Sequence, residues 1–268
     1  MKRLIINADD FGLTAGVTAG IVETMQHGVV SSTTAMVCLP EAGENIKRFA
    51  DSVMGRIGLH LQLTDGRPCA AVATLDTLVD GDGKFPRSWR ELDSCEPDQI
   101  RREWHAQIEK INGLGIQPTH IDTHHHVHRF PGIFEVYAEI AAAYGLPARA
   151  LTPRMAGALR SRGALCPDYC ETRWPGGQFK PEVFLTHISR AFESTEGERT
   201  IELMCHPGFC DEELESKSTY HKERHEELRS LCDPRLRDGL LEMGIELVTP
   251  LALLTQTEGV AAGMAGAR

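Results

Sequence analysis

The chain has 268 residues, of which 41% are hydrophobic and 25% charged, and a formal net charge of −10. This acidic balance argues against nucleic acid or an anionic membrane surface as the main partner, because both select for basic patches, and it favours a neutral or cationic small substrate. No apolar run reaches the length of a transmembrane segment or a signal peptide, and the eight cysteines form no C-x-x-C pair, so we expect a cytoplasmic protein with reduced thiols and no integral membrane segment.

Two adjacent aspartates follow the first predicted strand. The apolar run at positions 4–6 predicts that strand, and Asp9 and Asp10 lie just beyond it. Carboxylates at the end of a buried strand are costly unless positive charge meets them. A role as plain turn or capping residues is the alternative, but Thr14 is already placed to cap the helix predicted over 14–27.

The third predicted strand carries two polar side chains opposite its leucines. A strand over 32–39 and a helix over 41–51 precede it, and the strand itself covers 56–64. Its leucines alternate, so His60 and Gln62 face the other way and can point into a site. For a single histidine, a core residue hydrogen-bonded to the backbone is the more frequent alternative.

A long irregular segment, 65–93, follows this strand. It is rich in glycine and proline, which is typical of a functional loop or lid. Phe85 and Trp89 within it could stack on a sugar ring, or form an apolar cluster that holds the loop down. Pro97 then opens an amphipathic helix that ends near 113–115.

The stretch 119–128, T-H-I-D-T-H-H-H-V-H, contains five of the twelve histidines of the chain. It predicts a buried strand that leads into a loop. Residues two apart share a strand face, so His120, Asp122 and His124 lie together, and His126 joins them if the strand continues. Neutral imidazole is the commonest protein ligand for transition metals, which favours a metal site over the alternative of a solvated histidine-rich loop.

The second half of the chain continues the alternation of helices and strands. We predict helices over 133–144, 181–192, 220–232 and 233–243, and strands over 148–151, 198–205 and 245–248. His206 begins the sharp turn after the second of these strands. The segment 152–180 shows no clear pattern, and the tail 256–268 is predicted to be disordered.

Four predicted strands thus end in residues that can bind metal or transfer protons. These residues are Asp9, Asp10, His60, Asp122, His124 and His206. Alternating strands and helices predict a parallel sheet that is closed or nearly closed into a barrel, with its active site at the C-terminal strand ends. One aspartate and two histidines leave room for water and substrate, as in catalytic zinc sites, where the ion lowers the pKa of its water to about 7. A neighbouring carboxylate can serve as base and a histidine across the site as acid.

Five motifs carry a resemblance to a known family. They are N-A-D-D-F-G (7–12), G-L-H-L-Q-L-T (58–64), T-H-I-D-T-H-H-H-V-H (119–128), L-M-C-H-P-G (203–208) and S-x-Y-x(3)-R-x-x-E-L (218–228). In this order they resemble the YdjC-like carbohydrate deacetylase family, which includes chito-oligosaccharide and hopanoid-linked deacetylases. The resemblance implies a single catalytic domain over 1–255, an irregular TIM-like (β/α) barrel of the polysaccharide-deacetylase type. It also implies removal of the acetyl group from an N-acetylated amino sugar.

The same resemblance implies a role for each strand-end residue. Asp10, His60 and His124 take the places of metal ligands, Asp9 that of the base and His206 that of the acid. The expected cofactor is one divalent ion, Zn²⁺ or Mg²⁺. The expected substrate is a small saccharide or lipid-linked sugar that contains N-acetylglucosamine, and a homodimer is left open.

Further residues are expected around these ligands. Asp122 or a backbone carbonyl is expected to orient a site histidine through its other ring nitrogen, as groups behind metal ligands usually do. His126 and His128 are expected behind the ligands or near substrate, and they keep open a barrel-type metallophosphoesterase with more than one metal. Gln62 stands where the family usually has asparagine and His125 where glutamine is common, so both bear on substrate specificity. A catalytically inactive sugar-binding protein is the remaining alternative.

Overall fold

A computed structural model describes residues 1–92, 95–172, 179–193 and 197–255. The tail 256–268, predicted to be disordered, lies outside the described residues. The strands are β1 (Lys2–Phe11), β2 (Ser32–Ala35), β3 (Ile57–Leu61), β4 (Ile121–Thr123), β5 (Tyr169–Glu171), β6 (Arg199–Cys205) and β7 (Ile245–Leu247). The α-helices are α1 (Ala15–His27), α2 (Ala42–Val53), α3 (Pro97–Gly113), α4 (Pro131–Tyr144), α5 (Pro153–Arg160), α6 (Pro181–Glu193), α7 (Glu212–Lys217), α8 (Lys222–Leu231) and α9 (Pro234–Glu242).

The described strands form one sheet in which every pairing is parallel. Its order is β4-β3-β2-β1-β6-β5, and β7 pairs with the first residues of β1. β1 is long because β6 pairs with it from Lys2 to Ala8, while β2 pairs with its last residues, from Asn7 to Phe11. The C-terminal ends of these strands therefore meet at one edge of the sheet.

The chain after α4 extends the sheet beyond β4. The amide of Ile121 donates to the carbonyl of Pro147, and the amide of Arg149 donates to the carbonyl of Ile121. The amide of Ala148 donates in turn to the carbonyl of Leu165, on the segment that leads into β5. The two ends of the sheet are thereby brought towards each other. The predicted α/β fold with a parallel, barrel-like sheet is confirmed.

Successive side chains of β1 point to opposite faces of the sheet, one covered by the hydrophobic core and the other lined by polar groups. Leu4 and Ile6 pack in the core with Ile21 of α1. Asn7 and Asp9 have the opposite parity and contact polar groups of the other strands. The strand extends two residues past Asp9, to Phe11, so the aspartate pair lies within its C-terminal end rather than after it.

Only three residues of the histidine stretch, Ile121–Thr123, form the strand that was predicted there. β4 ends at Thr123, and a 3₁₀ helix covers His124–Arg129. His125 and His126 have φ angles of 55° and 52°, a left-handed conformation that is incompatible with a strand. The strand does not continue to His126, so the condition under which His126 would join the face of His120 and Asp122 is not met. Similarly, the strand predicted over 148–151 is reduced to a single bridge between Ile121 and Ala148.

The segments without clear sequence pattern contain regular structure. The segment 152–180 includes α5, which Thr152 caps through its side chain, and the short strand β5. In the 65–93 loop, Phe85 is buried and Trp89 stacks on Phe130, so both help to hold the loop against the fold. None of the helices in the described ranges has the length and apolar composition that a membrane crossing requires.

Candidate active site and metal centre

Asp10, at the C-terminal end of β1, is the centre of the candidate site. Its backbone has a φ of 70°, a left-handed conformation that is uncommon outside glycine and recurs at functional sites. One carboxylate oxygen, Oδ1, lies 3.5 Å from His60 Nε2 on β3 and 3.5 Å from His124 Nδ1 just beyond β4. Arg224 donates a 2.5 Å hydrogen bond to the other oxygen, Oδ2. The three residues expected to bind metal therefore meet at one point.

The three ligand atoms fit a divalent cation. Asp10 Oδ1 is buried and has no hydrogen-bond partner among the described residues, an arrangement that is costly without a cation. In a tetrahedral zinc site, oxygen and nitrogen ligands about 2.1 Å from the ion lie about 3.4 Å from each other. The distances of 3.5 Å from Asp10 to His60 and to His124 are close to this value. Three protein ligands also leave a position for water or substrate.

Nearby carboxylates give the site a negative potential. Burial alone would lower the pKa of His60, but the Asp122 carboxylate raises it. Burial would also lower the pKa of His124, but the carboxylates of Asp10 and Asp65 raise it to about 9. The same carboxylates would favour a metal cation beside these two histidines.

Asp122 lies behind His60, on the neighbouring strand. Its Oδ1 is 2.6 Å from His60 Nδ1, and Thr34 donates to its Oδ2 at 3.1 Å. A proton on Nδ1 shared with this carboxylate leaves the lone pair of Nε2 facing Asp10. Asp122 thus contacts the ring nitrogen of His60 that faces away from Asp10.

Asp65 contacts the ring of His124 as Asp122 contacts that of His60, and this contact was not predicted from the sequence. Its Oδ2 lies 3.2 Å from His124 Nε2, and its backbone φ is 58°. Gln62 supports this turn: its side chain donates to the carbonyl of Asp65 and accepts from the amide of Cys38. Because Gln62 is fully buried, it orders the loop and has no surface on which to meet a sugar. His125 stacks on His124 at 3.9 Å and is exposed.

A buried arginine connects three strands of the sheet. Arg149 contacts both oxygens of Asp9 at 2.7 Å, Glu202 at 2.7 Å and Asp122 at 2.8 Å. Burial would raise the pKa of Asp9, but Arg149 holds it well below its usual range. Burial raises the pKa of Glu202 to about 7, although Arg149 opposes the shift. In the sequence, Arg149 stands out as the one charged residue in the otherwise apolar strand predicted over 148–151.

We expect Arg149→Ala to lower the free energy of unfolding by about 3–5 kcal/mol, because it leaves buried carboxylates without their cation. Arg162→Ala is the matched control: Arg162 pairs with Glu135 at the surface, where such pairs contribute about 0–1 kcal/mol. Denaturant unfolding of both variants measures the difference. Equal unfolding midpoints for the two variants would contradict a structural role for Arg149.

The fifth motif forms the opposite wall of the site, around His206. The backbone amide of His206 donates to Glu227 at 2.6 Å, and its ring lies edge-on to Tyr220 with centroids 5.7 Å apart. The Tyr220 hydroxyl donates to Glu227, and Arg224 reaches Asp10. Burial lowers the pKa of His206 to about 4, with Arg224 adding to the shift and Asp10 opposing it. The motif was noted in the sequence, but not the contacts of its arginine and glutamate.

Comparisons with known proteins identify the family of the chain. A family model described as YdjC-like protein matches residues 3–242. The chain belongs to the YdjC-like family. It is 38% identical to a carbohydrate deacetylase from Geobacillus stearothermophilus, over 92% of this chain and 96% of that protein. It is 37% identical to a chitooligosaccharide deacetylase from Serratia marcescens, over 92% of this chain and 97% of that protein.

A solved structure of a protein from Enterococcus faecalis V583 has the same fold as this YdjC-like chain. Its description names cellobiose-phosphate cleavage. The two superpose with a TM-score of 0.85 at 32% identity, over 94% of this chain and 98% of the other. The fold similarity therefore extends across the whole sheet and the strand ends that carry the site.

Two further histidines of the stretch, His126 and His128, do not join the ligand atoms around Asp10. His128 is buried, contacts Thr123 through Nδ1 at 2.6 Å and stacks on Tyr137. Burial lowers the pKa of His126 to about 3. Within the described residues, neither one belongs to a group of three converging ligand atoms. They therefore do not form the additional metal position that the phosphoesterase alternative requires.

Two glycines let α1 pack directly against the turn that carries His206. A Cβ on Gly20 would lie 2.6 Å from Gly208 Cα and 2.7 Å from Phe209 N. Both are backbone atoms of the turn, which cannot move away without moving His206. Helix α1 therefore sets the position of this histidine relative to Asp10.

We expect Gly20→Ala to lower the free energy of unfolding by about 1–3 kcal/mol, as overpacking does, and to lower kcat as the turn shifts. The control is Gly157→Ala in α5, where an added Cβ has no neighbour within 4 Å. There the higher helix propensity of alanine should stabilise the protein by about 0.5–1 kcal/mol. Thermal unfolding and kcat of both variants check the contrast, and a neutral or stabilising Gly20→Ala would contradict it.

Proposed function

We propose that this YdjC-like protein is a metal-dependent hydrolase that removes the acetyl group from an N-acetylated amino sugar. The observation that carries the proposal is the unpartnered Oδ1 of Asp10, 3.5 Å from a nitrogen of each of two histidines. Asp9 lies next to it in the chain, and His206 lies on the opposite wall. The names of the relatives, carbohydrate deacetylase and chitooligosaccharide deacetylase, support this class of substrate.

Asp10, His60 and His124 would hold the cation, which when bound supplies a Lewis acid that activates water and polarises the acetyl carbonyl. Arg224 fixes one oxygen of Asp10, so the other stays directed at the two histidines. Asp122 holds the ring of His60. The residues around the ligands thus fix their orientation before substrate arrives.

Proton transfer is assigned to Asp9 and His206. Asp9 is ionised because Arg149 lowers its pKa, so it is ready to accept a proton from the attacking water. His206 starts neutral, since burial lowers its pKa to about 4. The proton that Asp9 accepts must therefore pass through solvent to His206, which gives it to the leaving amine, so that both residues return to their starting states. The products are the free amine and acetate.

The finer assignments are part of the same proposal. The substrate is an oligosaccharide or lipid-linked sugar that contains N-acetylglucosamine. Mixed nitrogen and oxygen ligands suit Zn²⁺, while Mg²⁺ is the alternative when it is far more abundant. A cytoplasmic location is part of the same proposal, since the sequence predicts reduced thiols, and no disulfide joins the eight cysteines, all of which lie in the described part of the chain.

We expect His60→Ala and His124→Ala to lose bound metal and acetate release together, because each removes one of three protein ligands. Chelation of the wild-type protein should have the same effect, and added Zn²⁺ or Mg²⁺ should restore activity. Metal analysis and acetate release from N-acetylglucosamine oligomers measure both quantities. Metal content equal to that of the wild type in either variant would refute the ligand assignment.

A parallel assay separates the alternatives. Phosphate release from a generic phosphoester, without acetate release, would indicate the metallophosphoesterase. Saturable binding of the oligomers without release of either product would indicate a sugar-binding protein. Acetate release alone supports the deacetylase.

A further inference from the structure

Three side chains of different ligand types meet on the surface, just after the turn that carries His206. Cys210 Sγ lies 3.5 Å from Glu215 Oε1 and 3.6 Å from His221 Nδ1. Cys210 and Glu215 are exposed, and His221 is half-buried. The atoms of all three residues converge within 4.8 Å of one another. This cluster has no part in the proposed deacetylation.

The separations match those of a tetrahedral zinc site. A thiolate about 2.3 Å from zinc and an imidazole nitrogen about 2.1 Å away lie about 3.5–3.6 Å from each other, and a carboxylate oxygen gives nearly the same value. The observed distances from Cys210 to Glu215 and to His221, 3.5 and 3.6 Å, are close to these values. Helix α7 adds the carboxylate of Glu212 in its first turn, which favours a cation nearby, whereas Glu213 is paired with Lys217.

We propose that Cys210, Glu215 and His221 form a second cation site, which binds Zn²⁺ or another divalent ion with affinity for thiolate. The site differs from the Asp10 centre in having a sulfur ligand. Binding exchanges the thiol proton of Cys210 for the ion, and the proton passes to solvent. A fourth position remains for water, because three protein ligands do not fill a tetrahedron.

Two competing interpretations are weaker on physical grounds. An activated nucleophile needs a lowered thiol pKa, whereas desolvation and the Glu215 carboxylate raise the pKa of Cys210. A second thiol cluster, Cys38 with Cys69 and Glu103, has a carboxylate that already accepts from the backbone amides of Cys69 and Ala70. A cation bound there would compete with those hydrogen bonds.

The site connects both ends of a short segment that touches the active site. Between its ligands lie Asp211, which accepts from Thr14 and from the amide of Gly16, and Tyr220, which contacts His206. A bound ion therefore fixes the segment that lines one side of the His206 turn.

Titration with Co²⁺ tests the proposal, because a thiolate ligand gives cobalt an intense near-ultraviolet charge-transfer band that oxygen and nitrogen ligands do not. The protein is used with its catalytic centre already loaded with metal. We expect the band in the wild type and its loss on addition of Zn²⁺. We also expect its loss in Cys210→Ser and weaker binding of Co²⁺ in Glu215→Gln.

Cys38→Ser serves as the control and should keep the band. Absence of the band in the wild type, or its persistence in Cys210→Ser, would overturn the proposal, and its loss in Cys38→Ser alone would place the sulfur ligand in the other cluster. The band reports sulfur ligation only, so it appears or fails independently of any acetate release.

Discussion

Replacing Asp9 with asparagine should lower kcat for acetate release by about 10²–10⁴-fold, the usual contribution of a general base, while the protein keeps its metal. Asparagine preserves the shape of the side chain but cannot accept the proton. Metal content, thermal unfolding and kcat of the purified variant separate loss of the base from loss of the site.

Glu202→Gln is the matched control for this substitution. Glu202 also contacts Arg149, so both variants remove one carboxylate from the same guanidinium. Only Asp9 is proposed to exchange a proton with water, and Glu202→Gln should therefore have much the smaller effect on kcat. Equal losses in the two variants would mean that Asp9 acts through Arg149 and not as a base.

Replacing His206 with alanine should lower kcat for an N-acetyl sugar by about 10²–10⁴-fold and should affect an activated acetyl ester much less. An amine leaves poorly without a proton, whereas the leaving group of an activated ester needs none. The comparison of the two substrates therefore reports the acid role directly, provided that metal content and unfolding are unchanged.

Tyr220→Phe is the control for His206→Ala. It retains the ring beside His206 and removes only the hydroxyl that donates to Glu227. We expect it to retain activity on both substrates. If His206→Ala slowed the amide and the ester equally, His206 would serve only to shape the turn with Pro207 and Gly208.

The position of the candidate site could be predicted because a parallel sheet collects its strand ends at one edge. Asp10, His60 and His124 are far apart in the chain, but each follows a recognisable strand. The alternation of side chains along a strand was sufficient to predict the position of Asp122, which lies beside His60 on the neighbouring strand. These inferences need only the hydrophobic pattern and the direction of the strands.

The arginines could not be predicted in the same way. Arg149 and Arg224 reach carboxylates 140 and 214 positions away in the chain, and their partners depend on the packed arrangement of the sheet. Whether the strand continues to His126 could not be predicted for a different reason: His125 and His126 adopt a left-handed conformation that histidine tolerates, so no glycine marks the turn in the sequence. Gln62 was assigned to the correct face of its strand, but its buried partners are backbone atoms of loops.

The Arg149 cluster has a consequence for how such a site can change over evolutionary time. The Arg149 guanidinium contacts carboxylates on β1, β4 and β6. A substitution at Asp9, Asp122 or Glu202 therefore changes the electrostatic interactions of the other two carboxylates. Effects at these positions should depend on one another instead of adding. The path to a new specificity therefore runs more easily through the loops around His125 and Trp89, where a residue can be exchanged alone, than through the charged interior, where residues must change together.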